Sequence, residues 1–274
     1  MKEFILELLF TIQGIGAASG LIYREQDIYL ISDNSNYLYS YSLETKTLKE
    51  KLLSERAVNV QVPKKIKADF EAITEIDSCL YIFGSGSTAN RNLLVIYDFR
   101  LDRVDSIDMG PVYQALRENY AISADDFNIE GAIGLNNDIW LFNRGNGPGQ
   151  KNGVFVLQRN NLAPKAYYPV TLPSLKGIPL GFTDATVVDN KIYFIAAAED
   201  GSSTYLDGDV QGTVLGVLLP ETLQIEYTQP ISFSHKFEGL THYISDSSSI
   251  TFLLCEDQDG DADFSDIYRL VLPR

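Results

Sequence analysis

The sequence contains few of the residues that build disulfide frameworks, zinc sites or nucleic-acid-binding surfaces. Only 2 cysteines and 2 histidines occur among its 274 residues. Thiols this sparse do not form a disulfide framework, and they favour a reducing compartment. The alternative is a single buried disulfide between the two cysteines. The 22 basic residues are outnumbered by 37 acidic ones, which gives a net charge of −15. Because binding to phosphodiester backbones requires clustered lysine and arginine, this balance opposes a nucleic-acid partner.

Long hydrophobic runs are also missing. No segment reaches the roughly 18–20 apolar residues that a membrane helix requires, and an acidic surface does not dock on anionic lipid. The apolar N-terminal stretch is interrupted by Glu3 and Glu7, and only Lys2 supplies positive charge. It therefore indicates a strand rather than a signal peptide. We expect no membrane partner and a cytoplasmic location, with the periplasm as the alternative.

The sequence is rich in short apolar runs that alternate with polar turns. Runs such as DIYLISD, CLYIFGS and KIYFIAA are separated by clusters of Asp, Asn, Gly and Ser. This spacing is typical of an all-β fold. The one helical pattern, PVYQALRENY at 111–120, starts with Pro111, which suits a first helical position.

The apolar runs follow a repeat of about fifty residues. A single oxygen-bearing residue stands at the start of each repeat, in SGLIY, FEAIT, IEGAI, TDATV and FEGLT. These head residues are Ser19, Glu71, Glu130, Asp184 and Glu238. A repeat of this length accommodates four antiparallel strands, as in a β-propeller blade.

Five heads predict one domain, 1–274, that folds as a five-bladed β-propeller of four-stranded antiparallel blades. The last repeat has only 36 residues after Glu238, enough for three strands. We expect residues 4–11 to supply the fourth strand, which closes the ring and removes an open sheet edge. The alternatives are a six-bladed ring with one unrecognised blade, or a pair of β-sandwiches.

The head residues are expected to converge at the mouth of the central channel. Four carboxylates held close together raise one another's pKa, so the site requires protons or a cation. A hard ion that takes six to eight oxygen ligands is favoured, and Ca²⁺ fits better than octahedral Mg²⁺. No His or Cys is among the heads, which argues against zinc. The alternative is that each carboxylate accepts backbone N–H bonds from the neighbouring blade and binds no metal.

The longest polar loops follow the second strands of the blades and lie on the same face as the heads, here called the head face. They are the loops 84–92, 143–153, 197–212 and 256–266. The first two supply candidate ligand-binding residues for an anion, namely Arg91, Asn143, Arg144 and Lys151. The loop 256–266 either binds a second cation or is a solvated acidic loop. His235 and His242 flank Glu238 and are either packing residues or a general base.

The heads resemble those of calcium-activated nucleotidases (apyrases), which are five-bladed propellers with a central Ca²⁺ held by Ser, Glu, Glu, Ser and Glu in turn. KFEGL is similar to their KYEGI, and GFTDA (181–185) is similar to their GFSSF with Asp in place of one serine. SdiA-regulated proteins and phytase-like esterase propellers carry similar heads. The resemblance implies Ca²⁺ ligation by the five head residues.

Two loop motifs extend the resemblance and also limit it. Through SDNSN, Asp33 matches the second aspartate of the nucleotidases' DDRTG, but Asn34 replaces the arginine. Through FNRG, Arg144 is a partial match to their FLPR. The resemblance thus implies catalytic roles for Asp33 and Arg144. Because one expected arginine is missing, it supports the fold and the cation site better than the activity.

Two functional hypotheses remain open. We favour a non-catalytic propeller in which Ca²⁺ locks the blades together and the head face binds a small anionic ligand or a protein. The alternative is a calcium-dependent phosphoester or phosphoanhydride hydrolase. In that case Asp33 or Glu71 would activate water, and Arg91, Arg144 and Lys151 would hold the phosphate. The fold alone does not choose between them.

Overall fold

A computed structural model describes residues 3–54, 62–63, 65–200, 209–257 and 262–274. Within these residues the chain forms five antiparallel sheets arranged as the blades of a propeller. This confirms the predicted five-bladed fold over the six-bladed alternative. Blades 1, 2, 3 and 5 have four strands each, and blade 4 gains a two-residue fifth strand.

Each blade is built from consecutive strands of the sequence, apart from the last. Blade 1 contains β2 (Ala18–Arg24), β3 (Asp27–Ser32), β4 (Tyr37–Ser42) and β5 (Leu48–Leu52). Blade 2 contains β6 (Phe70–Ile76), β7 (Cys79–Gly84), β8 (Leu93–Asp98) and β9 (Arg103–Asp108). Blade 3 contains β10 (Ile129–Leu135), β11 (Asp138–Asn143), β12 (Gly153–Gln158) and β13 (Pro164–Pro169). Blade 4 contains β14 (Ser174–Leu175), β15 (Ile178–Val188), β16 (Lys191–Asp200), β17 (Asp209–Leu218) and β18 (Ile225–Ser232).

The fifth blade joins the two ends of the chain. Its strands are β19 (Phe237–Ser245), β20 (Ser249–Glu256) and β21 (Phe264–Pro273), completed by β1 (Ile5–Gln13). Strand β1 pairs antiparallel with β21 along most of its length. The predicted closure by the N-terminal strand is therefore confirmed. It gives β21 a partner that the last repeat does not supply.

The blades are held together by apolar side chains between neighbouring sheets. Five buried clusters are present in the described residues, and each combines side chains of two adjacent blades. The innermost strands β2, β6, β10, β15 and β19 contact one another in a closed ring. Because burial of apolar surface is the main stabilising contribution to folding, these clusters fix the ring.

A short helix fills the longest spacing between heads. Helix α1 (Gly110–Tyr120) starts one residue before the predicted range and buries Tyr113 and Leu116. The Tyr113 hydroxyl donates a hydrogen bond (3.0 Å) to the backbone oxygen of Gly84, the last residue of β7 in blade 2. The helix thus ties the linker to the blades. In the described part of the chain, no helix combines the length and the apolar character needed to cross a membrane.

The innermost strands approach one another too closely for a side chain at certain positions. A Cβ atom added to Gly239 would lie 3.0 Å from the Gly20 Cα and 2.6 Å from the Cys255 Sγ. A Cβ atom on Gly131 would lie 3.0 Å from the Asp184 Cα. Glycine therefore permits the backbone contact between adjacent blades at the axis.

Replacing Gly239 with alanine should test this close approach. We expect Gly239→Ala to lower the free energy of unfolding by about 1–3 kcal/mol, because the added methyl group overpacks the axis. Gly110→Ala is the matched control, since its nearest contact would be the flexible end of the Asp108 side chain at 3.1 Å. The measurement is urea-induced unfolding of both variants. Equal stability of the two would contradict the account.

Candidate metal centre

Each innermost strand contains a β-bulge, and in four of the five blades the bulged residue is the predicted head residue. The strand register shifts at Ser19, Glu71, Glu130 and Glu238, as the repeat predicts. In blade 4 the shift lies between Phe182 and Asp184, so the bulged residue is Thr183. The predicted head residue of blade 4, Asp184, therefore follows the bulged residue by one position. The pattern search selected the carboxylate, whereas the backbone places the neighbouring hydroxyl at the equivalent position.

The three bulged glutamates meet at the axis. One carboxylate oxygen from each of Glu71, Glu130 and Glu238 lies within 4.8 Å of the other two. Glu71 also belongs to a second group of the same compactness, with Asp33 and Asp69. Two overlapping carboxylate triads thus share Glu71. Like charges this close destabilise one another unless a proton or a cation intervenes.

Two basic side chains compensate the first triad on one side. Arg144 contacts Glu130 (3.2 Å), Glu238 (3.8 Å) and Glu199 (2.8 Å). Lys236 contacts Glu238 (2.9 Å) and Glu199 (2.7 Å). Both basic groups are buried. They therefore neutralise part of the charge of Glu130 and Glu238.

The second triad has its own basic partners. Lys67 forms ion pairs with Asp33 and with Asp69, at 2.7 Å from the latter. Arg91 lies 2.7 Å from the other Asp69 oxygen and donates to the Ser87 hydroxyl (2.8 Å). Burial lowers the pKa of Lys67, but the nearby aspartates outweigh it and raise that pKa.

Glu71 is the carboxylate of the two triads that forms no ion pair within the described part of the chain, although the charge of Lys67 acts on it. No described residue forms a hydrogen bond or ion pair with its side chain. Burial, followed by the charges of Asp69 and Glu130, raises the pKa of Glu71 well above its usual range. The ionised form of Glu71 therefore requires a further cation.

The other two glutamates of the triad each keep one oxygen available. Asn128 donates to Oε1 of Glu130 (2.6 Å), and Arg144 contacts the same atom. Lys236 and Arg144 likewise contact Oε1 of Glu238. Among the described residues, no hydrogen bond reaches Oε2 of either glutamate. Glu71 and these two oxygens form a donor set of carboxylate oxygens only.

The protonation of the cluster follows from burial. Burial raises the pKa of Glu130 to about 8 and that of Glu238 to about 7, even though Arg144 and Lys236 act in the opposite direction. Burial also opposes ionisation of Glu199, but Arg144 and Lys236 lower its pKa to about 2. Glu199 is thus a fixed negative charge, whereas Glu130 and Glu238 exchange protons near neutral pH.

The two hydroxyl heads connect neighbouring blades. The Ser19 hydroxyl donates to the backbone oxygen of Phe70 (2.5 Å), directly before Glu71. The Thr183 hydroxyl donates to the backbone oxygen of Phe237 (2.8 Å), directly before Glu238. Each hydroxyl therefore positions the glutamate of the next blade. Its oxygen retains lone pairs that can accept or coordinate.

Asp184 lies one residue beyond the bulge, and its carboxylate accepts backbone N–H bonds. The donors are Ala185 (2.8 Å) and Leu240 (2.7 Å), the latter in blade 5. This is the metal-free arrangement considered as the alternative for every head. Asp184 is not part of either carboxylate triad. Its predicted role as a metal ligand stays a prediction, as does that of Ser19.

The predicted loop residues occupy different surroundings. Arg91 and Arg144 are buried in the ion pairs described above, and Asp33 pairs with Lys67. Asn143 is fully buried, and its amide nitrogen donates to the backbone oxygens of Asp126 (2.8 Å), at the end of a short 3-10 helix, and of Lys151 (2.7 Å). Lys151 is exposed and lines a separate cleft of about 400 Å³. The acidic loop 256–266 includes residues 258–261, which lie outside the described residues, so a second cation there stays a prediction.

Several residues of the cluster were missed by the sequence reasoning, although a pattern was present. Asp69, Asn128 and Lys236 each stand two residues before a glutamate head, in DFE, NIE and KFE. The two hydroxyl heads have Ala17 and Gly181 at that position instead. A polar residue therefore stands two positions before each glutamate head. Comparison of the five heads at that position would have identified Asp69, Asn128 and Lys236.

The sequence profile of a family described as "Family of unknown function (DUF6929)" matches residues 14–272. The chain belongs to this family. A search of curated proteins finds no match.

Solved structures share the fold at low sequence identity. The glutaminyl cyclase of Myxococcus xanthus has a TM-score of 0.60 and 10% identity, covering 99% of this chain and 98% of that one. The major Malassezia sympodialis allergen Mala s 1 has a TM-score of 0.58 and 10% identity, covering 95% of each chain. A luciferin-regenerating enzyme has a TM-score of 0.52 and 9% identity, covering 98% of this chain and 95% of that one. These similarities show the fold alone, and enzymes are among the chains that share it.

The raised pKa values predict a pH dependence in the presence of a chelator. An acid with a raised folded-state pKa stabilises the fold below its unfolded pKa and loses that contribution as pH rises through the folded value. As the pH rises from 5 to 8.5, ionisation of Glu130 and Glu238 should therefore lower the free energy of unfolding. Each group that ionises in this range should contribute on the order of 1 kcal/mol per pH unit.

One variant tests whether Glu130 contributes to this pH dependence of stability. Glu130→Gln does not titrate at this position, so its melting temperature should depend less on pH over the same range. Glu118→Gln is the control, since Glu118 lies exposed on α1. An unchanged slope in Glu130→Gln, or a wild-type stability that rises through this range, would contradict the assignment.

Proposed function

We propose that the protein binds a divalent cation, Ca²⁺ by the chemistry of its ligands, at the axial mouth of the propeller. The observation that carries this is the convergence of Glu71, Glu130 and Glu238 from three separate blades to within 4.8 Å. A rigid scaffold that brings like charges together works against electrostatic repulsion, and a bound cation reverses that cost.

The donor atoms fit a hard cation. The available oxygens are the Glu71 carboxylate and Oε2 of Glu130 and Glu238, and Ser19 and Thr183 contribute hydroxyl oxygens in the same ring of bulges. Ca²⁺ accepts six to eight oxygen ligands with flexible geometry, whereas Mg²⁺ requires near-ideal octahedral coordination. In the described residues, neither carboxylate triad includes His or Cys, so the soft ligands of zinc are lacking.

Basic side chains leave the charge of the cluster incompletely compensated. Its seven carboxylates are Asp33, Asp69, Glu71, Glu130, Glu199, Glu238 and Asp257. Its four basic groups are Lys67, Arg91, Arg144 and Lys236. One divalent cation offsets most of the difference. The fully ionised cluster is therefore expected to form when the cation is bound.

We further propose that the bound cation and the head face hold a small anionic ligand. A Ca²⁺ ion with three carboxylate ligands retains coordination positions for an oxygen anion. Lys151 is exposed on the same loop as Arg144 and lines the separate cleft described above, so the positive charge for an anion at this site comes from the cation. A protein partner on this face is the other outcome that the loops allow.

Phosphate hydrolysis is the second candidate, and it follows from the resemblance of the head motifs to those of apyrases. The ion pairs argue against it. Arg91 and Arg144, which would hold the phosphate, are buried and contact Asp69, Glu130 and Glu199 instead. Stabilisation of a phosphoryl transition state requires positive groups that are free to face the substrate. We therefore favour binding over catalysis.

Calcium binding should raise the melting temperature. At one hundred times the dissociation constant, a single site stabilises the folded state by about 2.7 kcal/mol. Glu71→Gln should weaken Ca²⁺ binding at least about tenfold, because it removes the triad carboxylate that forms no ion pair with the described residues. Without Ca²⁺ the same variant should melt above the wild type at neutral pH, since its folding no longer requires a carboxylate with a raised pKa to be protonated or to be buried in charged form.

The control for this experiment is Glu226→Gln, which changes an exposed ion pair with Lys191. It should leave the Ca²⁺ response unchanged. If Ca²⁺ does not raise the melting temperature of the wild-type protein, or if Glu71→Gln responds like the wild type, the proposed cation site is wrong.

The binding and catalytic hypotheses differ in one measurement. With Ca²⁺ bound, we expect no release of phosphate from nucleoside diphosphates, nucleoside triphosphates or p-nitrophenyl phosphate beyond that of Glu71→Gln. The reason is that both candidate arginines are occupied by carboxylates. Calcium-dependent release that disappears in Glu71→Gln would instead establish the hydrolase.

A further inference from the structure

A second polar cleft lies beside the axial cluster in blade 5. It has a volume of about 400 Å³, within the range of small-molecule pockets. His235, Glu256 and Tyr268 line it together with Lys236 and Asp257. These residues precede β19, end β20 and lie on β21, so the cleft opens on the head face.

His235 is held in a fixed orientation at this cleft. Its Nδ1 lies 2.7 Å from Oε1 of Glu256. Its ring stacks on Phe237, with centroids 5.6 Å apart, and contacts the Tyr268 ring at 5.2 Å. Its backbone N–H donates to the Ser232 hydroxyl (2.9 Å). Both the ring plane and the ring rotation are thereby set.

The partner of His235 is fixed as well. The Tyr268 hydroxyl donates to Oε2 of Glu256 (3.1 Å), the oxygen that His235 does not use. Burial and the nearby Glu256 raise the pKa of Tyr268, so its hydroxyl keeps the proton that it donates. Both oxygens of Glu256 therefore accept a hydrogen bond from an aromatic side chain of the cleft.

This arrangement determines which nitrogen of His235 is available. A carboxylate accepts only, so the proton of the neutral imidazole lies on Nδ1 and Nε2 carries the lone pair. Among the described residues, no hydrogen bond reaches Nε2 of His235. His242 differs, because its Nε2 lies 2.8 Å from the Ser245 hydroxyl. Only His235 thus offers a pre-oriented acceptor nitrogen.

The charges around the cleft favour a cationic ligand. Asp257 and Asp266 line it along with Glu256. The Lys236 ammonium contacts Glu199, Glu238 and Asp257, so its charge is already compensated.

We propose that this cleft binds a small organic amine, with the ammonium N–H donating to Nε2 of His235 and the surrounding carboxylates supplying the counter-charge. The metal proposed for the axis has no part in this contact. The amine site therefore goes beyond the proposed function, and its failure in an experiment is distinguishable from failure of the cation site. His235 is a ligand-contacting residue, and Glu256 is the residue that positions it.

The first test reads the tautomer directly. With only 2 histidines in the chain, a long-range ¹H–¹⁵N spectrum gives two imidazole patterns, and His242→Asn identifies which is which. We expect His235 in the Nδ1–H form near pH 8. Glu256→Gln should shift it toward the other tautomer. A wild-type His235 in the Nε2–H form would overturn the proposal.

The second test uses putrescine as the probe, followed by calorimetry and by the His235 signal. 1,4-Butanediol has the same chain length without charge, and succinate carries the opposite charge. Putrescine should bind saturably, butanediol at least about tenfold more weakly, and succinate not at all. Equal binding of butanediol, or no saturable binding of putrescine, would overturn the proposal.

The variants separate a ligand contact from a structural role. His235→Phe keeps the ring stacking but removes the nitrogens and leaves Oε1 of Glu256 without its donor, so the melting temperature should fall modestly. Below that melting temperature, putrescine affinity should fall at least about tenfold. His242→Asn should bind putrescine like the wild type. Repetition with excess chelator and in Glu71→Gln should leave the affinity unchanged. Putrescine binding that survives His235→Phe would overturn the proposal.

Discussion

The repulsion among carboxylates at the axis is the constraint on which the rest of this site depends. Five blades close a ring, and the ring brings the bulged glutamates of three inner strands toward one point. Glu71, Glu130 and Glu238 meet there within 4.8 Å, in surroundings that are too buried for three unshielded charges. Arg144 and Lys236 compensate one side of this triad, whereas Glu71 forms no ion pair with a described residue.

The local structure follows from this geometry. A β-bulge turns each head residue out of the ladder and toward the axis. Glycine at Gly239, and again at Gly131, lets neighbouring backbones approach closely behind the bulges. The hydroxyls of Ser19 and Thr183 hold the strand that carries the next glutamate. Blade contacts, bulges and ion pairs are thus parts of one arrangement.

The fold could be predicted from sequence because a repeat is a pattern that one chain contains in full. The heads, the strand lengths and the short last repeat together predicted five blades and closure by the N-terminal strand. The site was harder to predict. The sequence does not show that Thr183, rather than Asp184, is the bulged residue, because one position of register depends on backbone pairing. Nor does a search for head carboxylates suggest that Arg144 and Lys236 fold back onto them.

The central claim is that a divalent cation completes the axial cluster, and anomalous diffraction from crystals grown with Ca²⁺ and soaked in Tb³⁺ tests it most directly. The account predicts one strong peak at the axis, with oxygens of Glu71, Glu130 and Glu238 at roughly 2.3–2.6 Å from the ion. A density map with no peak at the axis, and with the Lys236 ammonium bridging the three glutamates in its place, would contradict it.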